Sequence, residues 1–346
     1  SFSLHISASE TAPDWGIVQR TISVNTSYQS TLNTTIIKQE NSTKRQAEYV
    51  ISYTPGGSIK PMVAYGNKLY GMSTINTVEK YLIAQGYPVV GGINADFFSL
   101  KTGLPLGPVI TNGIIRSSDA GSSAIGFFEN GSAFIGKPNM QINLTTETQT
   151  INIDHINKLR TPYGLYMITS DFSGNTRNST AGVDVILGSV QGDLKIGSSL
   201  TAVVEEITPY DSAIAIPEGK LILTIDDKGP SDKREQLLNL IPGETVTITV
   251  TSEDERWNNV KEAVGGGEIL IQDGQIQPGL GSDVAPRTAL GIKANGEILL
   301  YTVDGRQTGY SNGYSVKQLA GRLLDLGCVS AINLDGGGST AIKSVY

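Results

Sequence analysis

The chain has 346 residues, 39% of them hydrophobic, with 40 glycines, 26 basic and 33 acidic side chains and a net charge of −7. This is enough apolar content for one large core or two intimate ones, and too much glycine for a helical bundle. An acidic balance without any long like-charge block excludes a nucleic-acid-binding face, and no apolar run reaches the length of a membrane span. In chain order, residues 1–49 read as an arm or extra strands packed on the core. Short β-branched runs bounded by Gly, Asn, Asp or Pro predict strands at 17–24, 47–53, 88–93, 124–128, 164–168, 200–207, 221–225 and 245–250. Helical spacing predicts helices at 77–85, 232–240 and 315–326, the last with a Ser315 cap and a stop at Gly327. Many strands with few helices predict an α+β fold of mixed sheets.

Two stretches resemble each other. Each reads as a helix, a glycine stop and a buried strand ending in Ile-Asn-x-Asp: Ile93-Asn94-Ala95-Asp96 in one and Ile332-Asn333-Leu334-Asp335 in the other. A second pair relates Asn112-Gly113 and the strand from Ala124 to Asp273-Gly274 and the strand from Ala289, in the opposite chain order. A permuted duplication would place both Ile-Asn-x-Asp ends on one cleft near an approximate twofold axis. Asp96 and Asp335 would then face each other there; in the plainer reading Asp96 is a turn residue.

The chemistry concentrates late in the chain. Asp335 is followed by Gly336, Gly337, Gly338, Ser339 and Thr340, and three consecutive glycines after a buried strand turn the backbone so that its N–H groups can cradle an anion. The run lacks the lysine of a nucleotide-binding P-loop, and the alternative is a simple turn. Arg287 opens the apolar strand that continues through Thr288, where a guanidinium fork suits a phosphodiester and the alternative is a surface ion pair. Asp304, in Asp304-Gly305-Arg306, is equally readable as a turn acid.

Other features point away from common chemistries. His5 and His155 are too few and too separated for a catalytic triad or a zinc site. Cys328, the single cysteine, lies in an apolar run and reads as a buried, inert thiol. The run Asp226-Asp227-Lys228 lacks calcium-loop spacing and reads as a charged turn. No metal and no cofactor is expected.

The segments around Pro286-Arg287-Thr288, Asp304-Gly305-Arg306-Gln307 and 331–340 resemble the phosphodiester glycosidase family. The resemblance extends to 92–98, Asn157, the Gly174-Asn175-Thr176 turn and Gly182-Val183-Asp184-Val185, so it covers 50–346. It implies an exported or envelope-facing hydrolase that cleaves the glycosidic bond of a sugar 1-phosphodiester. One member of the family removes N-acetylglucosamine from such a linkage. Catalytic roles would fall among Asp335, Asp304, Arg287 and Asp96. Substrate contacts would come from Asn94, Thr288, Asn333, Gly336, Gly337, Gly338, Ser339, Asn157, Thr176 and Asp184. Two departures stand out: Asp96 where relatives often have Gly, and Asp184 where they tend to have Glu. The competing readings are a non-catalytic module binding cell-wall or exopolysaccharide sugar phosphates, and a phosphodiesterase cutting P–O, which would normally need metal ligands.

Overall fold

A computed structural model describes residues 44–344 throughout and, before them, the strand segments Phe2–Leu4, Thr11–Ala12, Gly16–Ile17, Gln19–Thr26 and Leu32–Glu40. His5 lies outside the described residues. The fold is α+β and strand-rich. A nine-stranded, antiparallel sheet runs from Phe2–Leu4 through Gln19–Thr26, Leu32–Glu40, Arg45–Tyr53, Ile298–Val303, Arg287–Lys293, Cys328–Asn333 and Ile269–Gln272 to Gln275–Ile276. A five-stranded antiparallel sheet centres on Glu262–Gly265, which lies between Ala124–Phe127 and Val109–Thr111. An eight-stranded sheet is built around Gly182–Gln191 and Ser198–Tyr210.

Side-chain alternation explains how the sheets stack, because successive residues of a strand face opposite sides. Leu319, Ala320 and Leu323 of the helix Val316–Asp325 pack with Ala289, Tyr301 and Ala331 of the nine-stranded sheet. On the other face Leu290, Ile298 and Ile332 meet Ile125 and Phe127 of the five-stranded sheet. That sheet in turn shares Ala124 and Ala263 with the large core of the eight-stranded sheet. The five-stranded sheet is thus held between the other two.

The local signals behave as their chemistry dictates. Ser315 accepts the Gln318 N–H (3.0 Å) and the Gln318 side chain accepts the Ser315 N–H (2.9 Å), a full capping box. Gly327 stops the helix with φ +93°. The first helix, Ile75–Ala84, begins before the expected position because Thr74 caps it, accepting the Thr77 N–H at 3.2 Å. The strand expected at 88–93 is only Gly91–Ile93, as befits a run opened by Pro88, which has no N–H to donate. Cys328 is 1% exposed, and burial pushes its thiol up to about 12. Asp226 accepts the Lys228 N–H (2.8 Å), so this acidic run forms a turn before the helix Ser231–Leu238.

The two Ile-Asn-x-Asp strands are not sheet neighbours. Gly91–Ile93 pairs with Ile342–Ser344 in a sheet of two strands, whereas Cys328–Asn333 lies inside the nine-stranded sheet. The segments nevertheless meet beyond their strand ends, and that meeting point is the site described next.

Candidate active site

The site forms where one end of the nine-stranded sheet touches one end of the five-stranded sheet. Register brings Arg287 opposite Val303, and Ala289 opposite Asn333, so Arg287, Asp304 and Asp335 leave the same end of three adjacent strands. The chain passes directly from Glu262–Gly265 to Ile269–Gln272 through Gly265, Gly266, Gly267 and Glu268. No member of this glycine run has room for a side chain. A Cβ on Gly265 would lie 2.6 Å from Asp96 Oδ2 and 2.7 Å from Gly107 Cα, one on Gly266 2.6 Å from Ile332 Cδ1, and one on Gly267 2.9 Å from the Phe97 ring. Gly265→Ala is therefore expected to cost on the order of 1–3 kcal/mol, as overpacking does. A calorimetric melt unchanged from that of the parent would show that the two backbones can separate without cost.

Asn94 joins the two Ile-Asn-x-Asp segments. Its Oδ1 accepts from Thr288 Oγ1 (2.8 Å) and from the Ala341 N–H (3.0 Å), and its Nδ2 donates to the Asp335 carbonyl (2.7 Å). The Asp335 N–H donates to the Ala95 carbonyl at 2.8 Å. Thr288 is fully buried, so Asn94 and Thr288 brace the loop from beneath rather than reach into solvent. Asn333 is 3% exposed and donates from Nδ2 to Glu268 Oε2 (2.9 Å), while the Glu268 carbonyl accepts the Asn333 N–H (2.9 Å).

Two carboxyls share this corner. Asp96 Oδ2 accepts the Gly107 N–H at 2.7 Å. Burial raises the Asp96 carboxyl to about 6, with the Asp335 charge adding to the rise and Gly107 and Lys158 opposing it. Asp335 is half-buried. Asp304 is held by its backbone, its N–H donating to the Ala47 carbonyl (2.9 Å) and its carbonyl accepting from Ser311 Oγ (2.6 Å).

Two cationic groups lie beside the glycine loop. Arg287 donates from Nε to the Tyr314 carbonyl (2.9 Å) and from Nη2 to the Asp283 carbonyl, which orients the guanidinium. Burial lowers its pKa; Glu268 opposes that shift and the neighbouring Arg306 adds to it, so the two guanidinium groups are close enough to repel. Gly336 lies along the stem of Arg287, where a Cβ would be 3.7 Å from Arg287 Cδ, and one on Gly337 would be 3.5 Å from Arg306 Nη1. The loop is a single tight turn, Gly337–Ser339, with Gly337 at φ +59°. The Gly337 N–H donates to the Pro286 carbonyl (2.9 Å) and the Ser339 N–H to the Gly336 carbonyl (3.1 Å). These two amides are therefore not available to an anion.

Three expected substrate contacts take other places. Asn157 is fully buried, donating from Nδ2 to the Arg116 carbonyl (2.7 Å) and Thr169 Oγ1 (2.8 Å) and accepting the Thr169 N–H (2.8 Å). It braces a turn. Thr176 is 1% exposed, and its Oγ1 accepts the Ile214 N–H at 3.2 Å. Asp184 is 1% exposed inside the eight-stranded sheet, 4.0 Å from Arg160 Nη1; burial raises its carboxyl, against Thr224 and Arg160. As they stand, these side chains contact the protein and not solvent. Glu268, Arg306 and Lys158 adjoin the site without having been anticipated. The glycine triplet 265–267 was the available signal for Glu268, being the same pattern as 336–338.

Residues 193–344 match the phosphodiester glycosidase family. The match contains Arg287, Asp304, Asp335, Glu268 and both glycine triplets, while Asn94, Asp96 and Lys158 precede it and are brought to it by the fold. A hypothetical protein from Synechocystis superposes with a TM-score of 0.73 at 22% identity, over 96% of this chain and 60% of its own. A Burkholderia pseudomallei protein whose name marks it as exported does so with a TM-score of 0.65 at 18% identity, over 87% of this chain and 69% of its own. Both likenesses concern the fold. An uncharacterised prophage-derived protein of Bacillus subtilis is 40% identical over 63 residues, which is 18% of this chain and 10% of that protein. The chain thus spans only part of each of these relatives. Among the described residues no group of acids, histidines and cysteines is arranged to hold a metal ion, and no helix is long and apolar enough to cross a membrane.

Proposed function

We propose that this chain hydrolyses the C1–O bond of a sugar 1-phosphodiester and releases free sugar and a phosphomonoester. The observation that carries the reading is that Arg287 and Arg306 lie against the glycine loop that follows Asp335, while Asp96 feels the Asp335 charge. Such a substrate has an anionic half and a sugar half, which the guanidinium groups and the carboxyls suit in turn. Arg287 still presents one N–H from each Nη, an edge that fits two phosphate oxygens. Gly336, Gly338 and the Ser339 hydroxyl extend the anion-binding wall. The sugar carbon develops positive charge as the bond opens, and carboxylates beside it stabilise that charge.

The leaving group reduces the demand for a strong acid, because a phosphomonoester has a second pKa near 6. Asp335 is assigned to water: it takes one proton as the oxygen bonds to C1, while the C1–O electron pair leaves with the phosphate. Asp96 is assigned to the same face as the second titrating carboxyl. Asp304 leaves the same sheet end as Arg287; Asn94 and Thr288 hold the loop in place, and Asn333 holds Glu268. An exported or envelope location fits an enzyme acting on surface glycans.

Product analysis on a sugar 1-phosphate ester tests the reading. Free sugar plus phosphomonoester is the expected outcome. Sugar 1-phosphate would assign cleavage to the P–O bond, and tight binding without turnover would make the chain a sugar-phosphate receptor.

A further inference from the structure

The side chain of Lys158 is not explained by the reaction as assigned. It follows the short strand His155–Ile156 of the eight-stranded sheet and reaches residues 105–107, beside Asp96. Its Nζ donates to three successive carbonyls, Pro105 (2.9 Å), Leu106 (3.0 Å) and Gly107 (2.9 Å). An ammonium has three N–H groups, so this cage uses all of them and leaves none for substrate. The segment it holds folds back on Phe97 and Phe98: the Leu106 N–H donates to the Phe97 carbonyl at 2.9 Å, and Phe98 bridges Pro105.

Peptide geometry connects this cage to the carboxyl. The Leu106 carbonyl and the Gly107 N–H belong to one planar trans peptide, so they point in opposite directions. Drawing the carbonyl toward Lys158 aims the N–H at Asp96 Oδ2, which accepts it at 2.7 Å. Gly107 is also pinned from behind, since a Cβ there would lie 2.7 Å from Gly265 Cα. The plane cannot turn without breaking one side of this arrangement.

We propose that Lys158 is a positioning residue of the site, which fixes the Leu106–Gly107 peptide plane and sets the ionisation of Asp96 beside Asp335. The proposal rests on the assignment of Asp96 to the reacting face, but its physical content does not depend on turnover. Asp335 acts on Asp96, Asp119 acts on Lys158 from the turn after Ser118, and His155 feels Lys158 in turn. Burial lowers the Lys158 ammonium to about 8 and raises Asp96 to about 6, so both are charged between those values. Removing the cation and releasing the N–H both favour the protonated carboxyl. Without Lys158, Asp96 therefore titrates at higher pH.

The test is a carboxyl NMR titration of the full chain without substrate, with Asp96→Asn assigning the resonance. In Lys158→Met the Asp96 midpoint is expected to rise; a folded variant with an unchanged midpoint overturns the proposal. Should Lys158→Met not fold, the reciprocal measurement decides. The Lys158 ammonium midpoint is expected to fall in Asp96→Asn, and its standing still would overturn the coupling. Midpoints that move in a protein cleaving no sugar phosphodiester refute the proposed reaction and leave the pair intact. Cleavage with stationary midpoints refutes the pair and leaves the reaction.

Discussion

Asp335→Asn is expected to lower kcat by a factor on the order of 10²–10⁴, the range of a lost acid–base group, while sugar-phosphate binding persists. The substitution keeps size and shape and removes only the charge. What holds this residue in place is its backbone, through the Ala95 carbonyl (2.8 Å) and Asn94 Nδ2 (2.7 Å), and neither bond involves the carboxylate. The loop should therefore stay where it is, with Arg287 and Arg306 still facing the phosphate. Calorimetric binding of a sugar phosphate, set beside turnover, separates the two roles. If binding disappears while turnover per bound substrate stays normal, Asp335 shapes the loop and another acid does the chemistry.

Arg287→Lys is the second large effect. The expected loss in kcat/KM corresponds to about 2–4 kcal/mol of transition-state stabilisation, on the scale of a removed oxyanion donor. A lysine offers a point charge and lacks the planar fork. It also loses the bonds by which Nε and Nη2 of Arg287 hold the Tyr314 and Asp283 carbonyls, so the remaining cation is no longer oriented. The strand itself should persist, because Ala289 and Leu290 just beyond are buried and paired on both sides. A melt confirms that the fold is kept. Near-parental kcat/KM in the folded variant would remove Arg287 from the site.

The glycines show where reading the sequence succeeded and where it stopped. Three glycines after a buried strand marked 336–338, and the structure places that turn against Arg287 and Arg306. The triplet 265–267 carries the same signal less plainly, because its strand is short and the residue of interest follows the glycines. Its role depends on contacts with Asp96, Gly107, Ile332 and Phe97, all distant in the chain. For Asn157, Thr176 and Asp184 the difficulty was the reverse. Polar residues in turn-like or strand sequences look available to a ligand, and only burial at 0–1% exposure reveals that their partners are internal.

The sequence by itself determined the strand-rich α+β character, the helix Val316–Asp325 with its Ser315 cap and Gly327 stop, and the glycine turn after Asp335. These are local properties: side-chain period, cap chemistry and glycine φ are written in neighbouring residues. Only the tertiary structure decided that Asn94 would reach the Asp335 carbonyl across 241 positions, that Glu268 would bond Asn333, and that Lys158 would hold the peptide facing Asp96. The reason is the order of strands. Which strand ends meet follows from how three sheets bury their apolar faces against one another, and no stretch of neighbouring residues encodes that pairing.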